Sequence, residues 1–411
     1  MPIPKTKVSY YDSASLDAFA RLRVANPDTQ FDSQQQYEVD EYWSWLTHTS
    51  GGASVTHLPD EASAQLSVGT ASGDIAVRQT RRYFRYRPGK SQLILLTGVL
   101  GTATENVEQS FGYGDEENGV FLKQKEDGLY LVLRSKSSGT VVDHEVPQAN
   151  WSHDPCDGTG ESLISLNPEE ANILAIDMEW LGVGRVRCYK WHNGMPILLH
   201  TWFNQGVDRP YTTTANLPVR YEIKNTAESA GASMKSICCS VISEGGQAVE
   251  TGRIHSTGNG VVTRSAPSGS QLAVLSIRPK LTYNSITNRA LVVPLAASLY
   301  VDGNADVHWE LVYDATLGGS PTWSSAEADS LVEFSVNATT VSDKHVLASG
   351  YGSSAKGGSD PIQLSFSDLG INTFALTLNY DGTVADTITL AVQGIGGAAT
   401  VAATLTWAEV K

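Results

Sequence analysis

The most unusual local chemistry in the sequence is a short segment, residues 78–90, in which arginines alternate with aromatic residues. If this segment is a strand, successive side chains point to opposite faces, and Arg81, Tyr83, Arg85 and Arg87 share one face. Arginine and aromatic residues are enriched at protein interfaces and can also stack on nucleic-acid bases. The segment therefore predicts contact with an acidic protein neighbour. A strand with solvated arginines and a nucleic-acid contact are the alternatives.

An acidic loop, Asp154–Glu161, is the second candidate site, because its carboxylates could bind Ca²⁺. It lacks the complete EF-hand pattern of alternating oxygen ligands and a distal glutamate. Aspartate and glycine are also ordinary turn formers. We expect a turn here, with ion binding left as the open alternative.

Catalytic motifs are missing from the sequence. It has no GxSxG nucleophile turn, no HExxH helix and no phosphate-binding loop. A glycosidase pair is conceivable among the many acids, but it requires two carboxylates about 5–10 Å apart around a sugar. The four cysteines make neither a CxxC pair nor a zinc-type cluster with histidine, and are expected to be reduced thiols. The protein is therefore predicted not to be an enzyme and to use no cofactor and no metal.

The charge balance is acidic, with 44 acidic and 29 basic residues and a net charge of −15. Nucleic-acid binding usually requires a basic surface, so this balance argues against a nucleic-acid partner. The sequence starts without an apolar stretch of signal-peptide length. Its longest apolar stretch, residues 290–300, contains a proline and is shorter than a membrane span. We expect folding in a cytosol and no membrane partner.

Residues 1–42 are polar and predict an N-terminal docking arm. Within the arm, Leu16, Phe19 and Leu22 recur at helical spacing, and Pro27 is expected to end the helix. So short a helix cannot bury its apolar stripe by itself. The arm is therefore predicted to lie on its own sandwich or on a neighbouring subunit.

The rest of the chain predicts two β-sandwich domains, residues 43–245 and residues 271–411, joined by a small, polar linker at residues 246–270. In the first domain, Asp127-Gly128 and Asn193-Gly194 supply hairpin turns. In the second, seven short apolar runs are separated by turn residues. The predicted fold class is all-β, and each half is expected to fold by itself.

Several sequence blocks resemble virion structural proteins of tailed bacteriophages, and together they span roughly residues 15–246. The blocks are Asp17–Pro27 with Gln30–Ser33, Arg85–Leu93, Trp180–Arg187, Asn216–Ile223 and Ile237–Gly246. This resemblance implies a place on a virion assembled in the host cytoplasm, and it brings no catalytic residues. The hairpin series from Gly119 to His200 also resembles a concanavalin-like or laminin-G-like sandwich; a jelly roll is the related possibility for both domains.

The resemblance implies a homo-oligomeric head-decoration, collar or tail accessory protein that stabilises the particle through contacts with capsid, portal, collar or tail proteins. The candidate contact residues are Leu16, Phe19, Leu22, Arg81, Arg85 and Arg87. The alternatives are a host-recognition module that binds cell-surface glycan and a soluble β protein unrelated to phages. Tryptophans clustered in an exposed groove would favour the host-recognition module, although most are expected to be core because Trp buries a large area. A flat apolar face together with an extended arm would favour the structural protein.

Overall fold

The regular secondary structure of the described residues is almost entirely β-strand, and the predicted all-β class with two β-sandwiches is confirmed. The structure is a computed structural model. It describes residues 16–19, 21–23, 26–41, 43–246, 252–257, 262–302, 305–354, 362–365 and 375–410. The chain divides into two compact units, residues 1–248 and 249–411. No helix in these described ranges has the length and apolarity needed to cross a membrane.

In its described residues the first unit contains fifteen strands and two 3-10 turns, Pro59–Glu61 and Gln148–Asn150. The strands are β1 (Pro27–Ser33), β2 (Trp45–Ser50), β3 (Ser54–Leu58), β4 (Ser63–Val68), β5 (Ile75–Thr80), β6 (Ser91–Val99), β7 (Val107–Gly114), β8 (Gly119–Lys125), β9 (Gly128–Ser135), β10 (Val142–Pro147), β11 (Asn172–Met178), β12 (Val186–His192), β13 (Met195–Trp202), β14 (Val219–Asn225) and β15 (Ala232–Glu244).

These strands make two antiparallel sheets with an apolar core between them. The eight-stranded sheet has the order β13-β12-β11-β6-β15-β4-β3, and β1 also pairs with β15. The seven-stranded sheet has the order β10-β9-β8-β7-β14-β5-β2. Ile94 of the first sheet and Tyr221 of the second are fully buried in the shared core. Because side chains alternate along a strand, each sheet also has an outward face.

The two predicted hairpins are present. Strands β8 and β9 pair from Lys125↔Gly128 outward, and strands β12 and β13 pair from His192↔Met195 outward. At the second turn Asn193 and Gly194 both have positive φ, 49° and 81°. Such angles are those of a type I′ turn and favour the Asn-Gly pair. In the first hairpin the two loop residues are Glu126 and Asp127, so that turn lies one residue before the predicted Asp127-Gly128 pair.

The predicted helix around residues 15–23 is absent from the part of this segment that the structure describes. Leu16 and Leu22 instead form an antiparallel bridge around a turn. The physical reason is long-range: Arg187 and Arg185 donate hydrogen bonds to the carbonyl oxygens of Leu16 and Ala18, at 2.7 and 2.6 Å. A helix would use such carbonyls internally.

Part of the predicted arm lies on its own sandwich, which is one of the two predicted alternatives. Strand β1 is hydrogen-bonded along β15 from Pro27 to Ser33, and Phe31 packs against the core. Ser33 accepts a hydrogen bond from the indole of Trp45 at 2.9 Å. Residues 27–33 are therefore an integral strand of the eight-stranded sheet.

The second unit contains strands β16 to β30. They are β16 (Arg253–Ser256), β17 (Arg264–Ala266), β18 (Leu272–Pro279), β19 (Thr282–Tyr283), β20 (Ile286–Thr287), β21 (Leu291–Asp302), β22 (Asp306–Tyr313), β23 (Thr316–Leu317), β24 (Ser324–Ser325), β25 (Val332–Ser335), β26 (Val341–Ser342), β27 (His345–Gly352), β28 (Ile362–Ser365), β29 (Ile388–Ile395) and β30 (Ala399–Val410).

The second unit also has two principal sheets around its own core. One has the order β16-β30-β21-β28 with β17 also on β30, and the other has the order β24-β25-β18-β29-β22-β27. Leu390 and Trp407 are fully buried between them. Six of the seven predicted apolar runs form strands. The remaining one, predicted at residues 374–380, begins outside the described residues and shows only isolated bridges at Leu376 and Leu378.

The range predicted as a linker contains two of these strands. Strand β16 pairs with β30 from Arg253↔Glu409 to Ser256↔Thr406, and β17 pairs with the other end of β30. These short, polar runs resemble a linker in composition because they cover an edge of the sheet and contribute few core side chains. In the structure they belong to the second unit.

Candidate functional site

The outward face of the seven-stranded sheet carries an unusual density of charge. On β14, Tyr221 and Ile223 point into the core, so Arg220, Glu222 and Lys224 point outward. Together with neighbours on β7 to β10 and the β7–β8 loop they form what we call the polar face. Its charged members are Glu108, Glu116, Lys123, Lys125, Arg134, Asp143, Glu145, Arg220, Glu222 and Lys224. Five are acidic and five are basic, so the polar face is neutral overall.

Two arginine–carboxylate pairs anchor the polar face. Arg134 of β9 donates two hydrogen bonds to Asp143 of β10, from Nε to Oδ1 at 2.7 Å and from Nη2 to Oδ2 at 2.9 Å. Arg220 donates to one oxygen of Glu222 through Nε at 2.9 Å and Nη2 at 2.6 Å. Arg220 and Glu222 are both buried. Charge-assisted bonds of this kind fix side-chain orientation as well as contributing energy.

Three lysines link these pairs into one network. Lys123 lies 3.0 Å from Asp143 and 3.2 Å from Glu145. Lys125 contacts the other oxygen of Glu145 at 2.6 Å. Lys224 lies 3.1 Å from Glu108. Charged donor and acceptor groups are therefore linked to one another across the sheet from β14 to β10.

The protonation state of the buried carboxylates follows from this network. Burial opposes ionisation of Glu222, but Arg220 and Lys224 outweigh it and lower the pKa of Glu222 to about 2. Burial likewise opposes ionisation of Asp143, but Arg134 and Lys123 lower its pKa well below the usual value. Both carboxylates are ionised at neutral pH. Neither is suited to be the general acid of a glycosidase, whose pKa must be raised.

A groove of about 520 Å³ opens on the polar face. Its lining residues are Ile75, Glu116, Arg134, Val141, Asp143, Arg220, Glu222 and Lys224. Grooves that bind small ligands commonly enclose about 300–1,000 Å³. The size and the convergent polar groups make this groove the candidate site of the first unit.

Beside the groove, the position of Phe121 depends on glycines. Its ring is buried, and the Arg134 guanidinium lies 5.3 Å from its centroid. A Cβ atom at Gly114 would come within 2.5 Å of the Phe121 ring, and one at Gly112 within 2.9 Å of it. Glycine at these positions therefore leaves the space that the Phe121 ring occupies next to Arg134.

The arginines predicted to share one face are dispersed. Residues 81–90 form no strand, and Arg81 donates to the carbonyl oxygen of Glu41 at 2.9 Å. Arg87 pairs with Asp28 at 3.2 Å, while Arg85 is half-buried. The interface role of these arginines stays a prediction.

The aromatic residues of that segment are core residues. Tyr83, Phe84 and Tyr86 are all buried, and the Phe84 ring lies 5.2 Å from that of Phe31. The predicted alternation of faces along this segment is therefore absent, because all three aromatic side chains are buried although they were predicted to lie on two opposite faces.

The tryptophans are mainly structural too. Trp45 and Trp151 are buried, while Trp180, Trp191 and Trp202 are half-buried. Trp43 is 48% exposed. None of these lines the groove on the polar face.

The N-terminal residues predicted as contacts lie on the outward face of the eight-stranded sheet. Leu16 is buried, Phe19 is half-buried and Leu22 is 46% exposed. Under them lies a fully buried ion pair, Asp177 of β11 with Arg187 of β12, at 2.6 Å. Their interface role also stays a prediction.

Further charged contacts fasten this segment. Arg23 pairs with both Asp177 and Glu244, and Ser91 donates to Asp177 at 2.6 Å. Arg187, Asp177, Arg23 and Glu244 form what we call the N-terminal clamp. It holds residues 16–23 on their own unit.

The acidic loop uses its carboxylates internally. Asp154 accepts hydrogen bonds from the backbone N–H groups of Cys156 and Ser162, at 2.8 and 2.7 Å. Although burial opposes ionisation, these bonds lower the pKa of Asp154. Asp157 accepts from Thr159. Asp154 and Asp157 therefore stabilise the conformation of the loop through hydrogen bonds within it.

The spacing of charged residues in the sequence predicts only part of the polar face. Opposite charges two positions apart, as in Arg220 and Glu222 or Glu222 and Lys224, are visible in the sequence. What spacing cannot show is that β10 and β14 belong to one sheet, which depends on strand order.

Comparison with known proteins gives a limited result. No family model and no curated protein matches the chain. Among solved structures, a protein of unknown function from Shewanella oneidensis MR-1 matches with a TM-score of 0.37 and 6% identity, covering 56% of this chain and 92% of that one. Peanut lectin matches with a TM-score of 0.32 and 12% identity, covering 53% and 98%. A legume lectin-like domain from Entamoeba histolytica matches with a TM-score of 0.31 and 10% identity, covering 52% and 96%. At these values, function has to be argued from the residues of the chain itself.

Proposed function

We propose that the protein is a non-enzymatic carbohydrate-binding module and that the groove on its polar face is the binding site. The observation that carries the proposal is the groove itself, which has a ligand-sized volume and is lined by charged pairs already fixed in place. Sugar hydroxyls both donate and accept hydrogen bonds, and adjacent guanidinium and carboxylate groups satisfy both roles. Side chains ordered beforehand lose little entropy on binding.

The zero net charge of the polar face favours an uncharged ligand. With five acids and five bases, the face offers no net attraction to an anion or a cation. A neutral, hydroxyl-rich oligosaccharide is the ligand that matches it. Because Glu222 and Asp143 are held ionised, we propose binding without hydrolysis.

A glycan array followed by calorimetry tests this proposal. Glu116→Gln and Lys224→Gln change partly exposed groove residues, and each should weaken binding of the selected glycan about tenfold through loss of a charge-assisted hydrogen bond. Glu117→Gln is the matched control, since Glu117 has similar exposure, pairs with Lys136 and does not line the groove. If no glycan binds, or if all three variants bind equally, the polar face is not a carbohydrate site.

A second candidate function, particle assembly, is favoured by the opposite side of the unit. On the outward face of the eight-stranded sheet, Leu93, Leu95 and Ile242 are half-buried and Ile173 is 39% exposed. Register places Leu93 opposite Ile242, and Ile173 opposite Trp191, so these side chains share one face. Apolar surface of this kind is typical of protein contacts.

We propose that this apolar face joins copies of the chain, and the resemblance of residues 15–246 to virion proteins supports a site on a tailed-phage particle. Host-surface glycan would then be the natural ligand of the polar face. Light scattering tests the assembly role: Leu95→Glu with Ile173→Glu should convert an oligomer to monomers. Leu163→Glu, in an exposed loop, should not. A monomeric unaltered protein would remove this second function while leaving the first intact.

A further inference from the structure

Three metal-ligating side chains converge in the second unit. His255 lies on β16, and Glu327 and Asp329 lie in the loop between β24 and β25. One ligand atom from each, a ring nitrogen and two carboxylate oxygens, lie within 4.8 Å of one another. His255 Nδ1 is 3.2 Å from Glu327 Oε2. Because strand pairing brings β16 to this loop from a distant part of the sequence, no local motif reveals the cluster.

A buried carboxylate stands on the other side of the His255 ring. His255 is 5% exposed, and its Nε2 lies 3.7 Å from Glu409 Oε2 without forming a hydrogen bond among the described residues. Metal-binding histidines commonly direct the second ring nitrogen at a carboxylate, which orients the ring. In the Nε2–H tautomer the proton faces Glu409 and the Nδ1 lone pair faces Glu327 and Asp329, and this is the form that a metal ion would select.

Glu409 is itself firmly held, which makes the arrangement rigid. It accepts hydrogen bonds from the Leu331 backbone N–H at 2.9 Å, the Ser330 hydroxyl at 2.5 Å and the Trp407 indole at 3.0 Å. The same contacts fasten the loop that carries the two exposed acids. The His255 ring also stacks on that of Trp407, with centroids 6.4 Å apart.

We propose that His255, Glu327 and Asp329 bind one divalent transition-metal ion, with Zn²⁺ as the probe. One imidazole nitrogen and two carboxylate oxygens suit a first-row ion better than Ca²⁺ or Mg²⁺, which prefer oxygen ligands alone. Three protein ligands leave a further position for water. Arg253 pairs with Asp329 at 2.7 Å, so the guanidinium must turn aside when the ion enters.

Calorimetric titration of the chelator-treated full chain with Zn²⁺ tests the site. We expect one ion per chain, with weaker binding of Ca²⁺ and Mg²⁺. Glu327→Gln combined with Asp329→Asn should lower Zn²⁺ affinity about tenfold or more. Asp343→Asn, an exposed acid of the same unit, is the matched control and should bind as the unaltered chain does. Arg253→Ala should raise affinity, because it removes the competing cation.

Both substituted acids are more than half exposed, so the variants should fold normally, and equal melting temperatures without metal would verify this. Absence of saturable binding at one ion per chain would overturn the proposal. So would Zn²⁺ binding that is equal in the double variant and the control. Glycan binding by the first unit is a separate measurement, and its result does not alter either conclusion.

Discussion

Paired charges hold the side chains of the polar face in position before any ligand arrives. Arg134 and Arg220 each bind a carboxylate with two hydrogen bonds, and both arginines are largely buried. Buried charges are tolerated only where partners satisfy them, so removing one partner leaves the other uncompensated. The same pairing that orders the groove therefore makes the first unit sensitive to pH.

The first prediction concerns Glu222. Its pKa falls from 4.5 to about 2 on folding, so ionised Glu222 stabilises the folded state. That contribution is complete above about pH 4.5 and is lost as the pH falls toward 2; it is on the order of 3 kcal/mol. Glu222→Gln should destabilise the first unit at neutral pH, and the difference should shrink from about pH 5 downward. Chemical denaturation at a series of pH values measures this difference in the free energy of unfolding.

Glu126→Gln, in the exposed β8–β9 turn, controls for a general effect of losing one acid and should unfold like the unaltered chain at every pH. A stability difference for Glu222→Gln that stays constant down to the acid limit would show that Glu222 is not the titrating group.

Particular elements show how far the sequence could predict the fold. Asn193-Gly194 places its hairpin correctly because turn geometry is local, and the β8–β9 turn lies one residue before the predicted Asp127-Gly128 pair. The helix predicted from Leu16, Phe19 and Leu22 fails because its backbone is bound by residues far along the chain. To predict the polar face, one would have to know the strand order as well as the alternation of Arg220 and Glu222. Local spacing thus predicts strands and turns, whereas contacts between distant strands decide the sites.

The second prediction concerns the N-terminal clamp. Asp177→Asn leaves Arg187 and Arg23 without their shared buried carboxylate, so the first unit should lose about 3–5 kcal/mol of unfolding free energy. Residues 16–41 should become more accessible to protease in the folded protein. Denaturation curves and limited proteolysis measure the two effects.

Asp208→Asn breaks a comparable but solvent-exposed pair with Arg209 and should change neither readout. Unchanged proteolysis in Asp177→Asn would show that strand β1, and not the clamp, secures this part of the chain.

At the scale of the whole molecule, the two units have separate cores and separate candidate sites. The groove lies entirely in residues 1–248, and His255, Glu327 and Asp329 lie entirely in residues 249–411. Each unit pairs its own sheets without borrowing strands from the other among the described residues. The proposed carbohydrate binding and the proposed metal binding should therefore be separable by dividing the chain.

The last prediction tests where that division falls. A fragment of residues 249–411 keeps β16 and β17 on β30, whereas a fragment of 271–411 removes both and exposes the edge of β30. Exposed edges promote aggregation, and loss of β16 also uncovers the buried ring of Trp407 beside His255. We expect the longer fragment to be soluble with one cooperative thermal transition, and the shorter one to melt lower or aggregate. Equal melting of the two fragments would mean that β16 and β17 add no stability and that the boundary near residue 270 is the physical one.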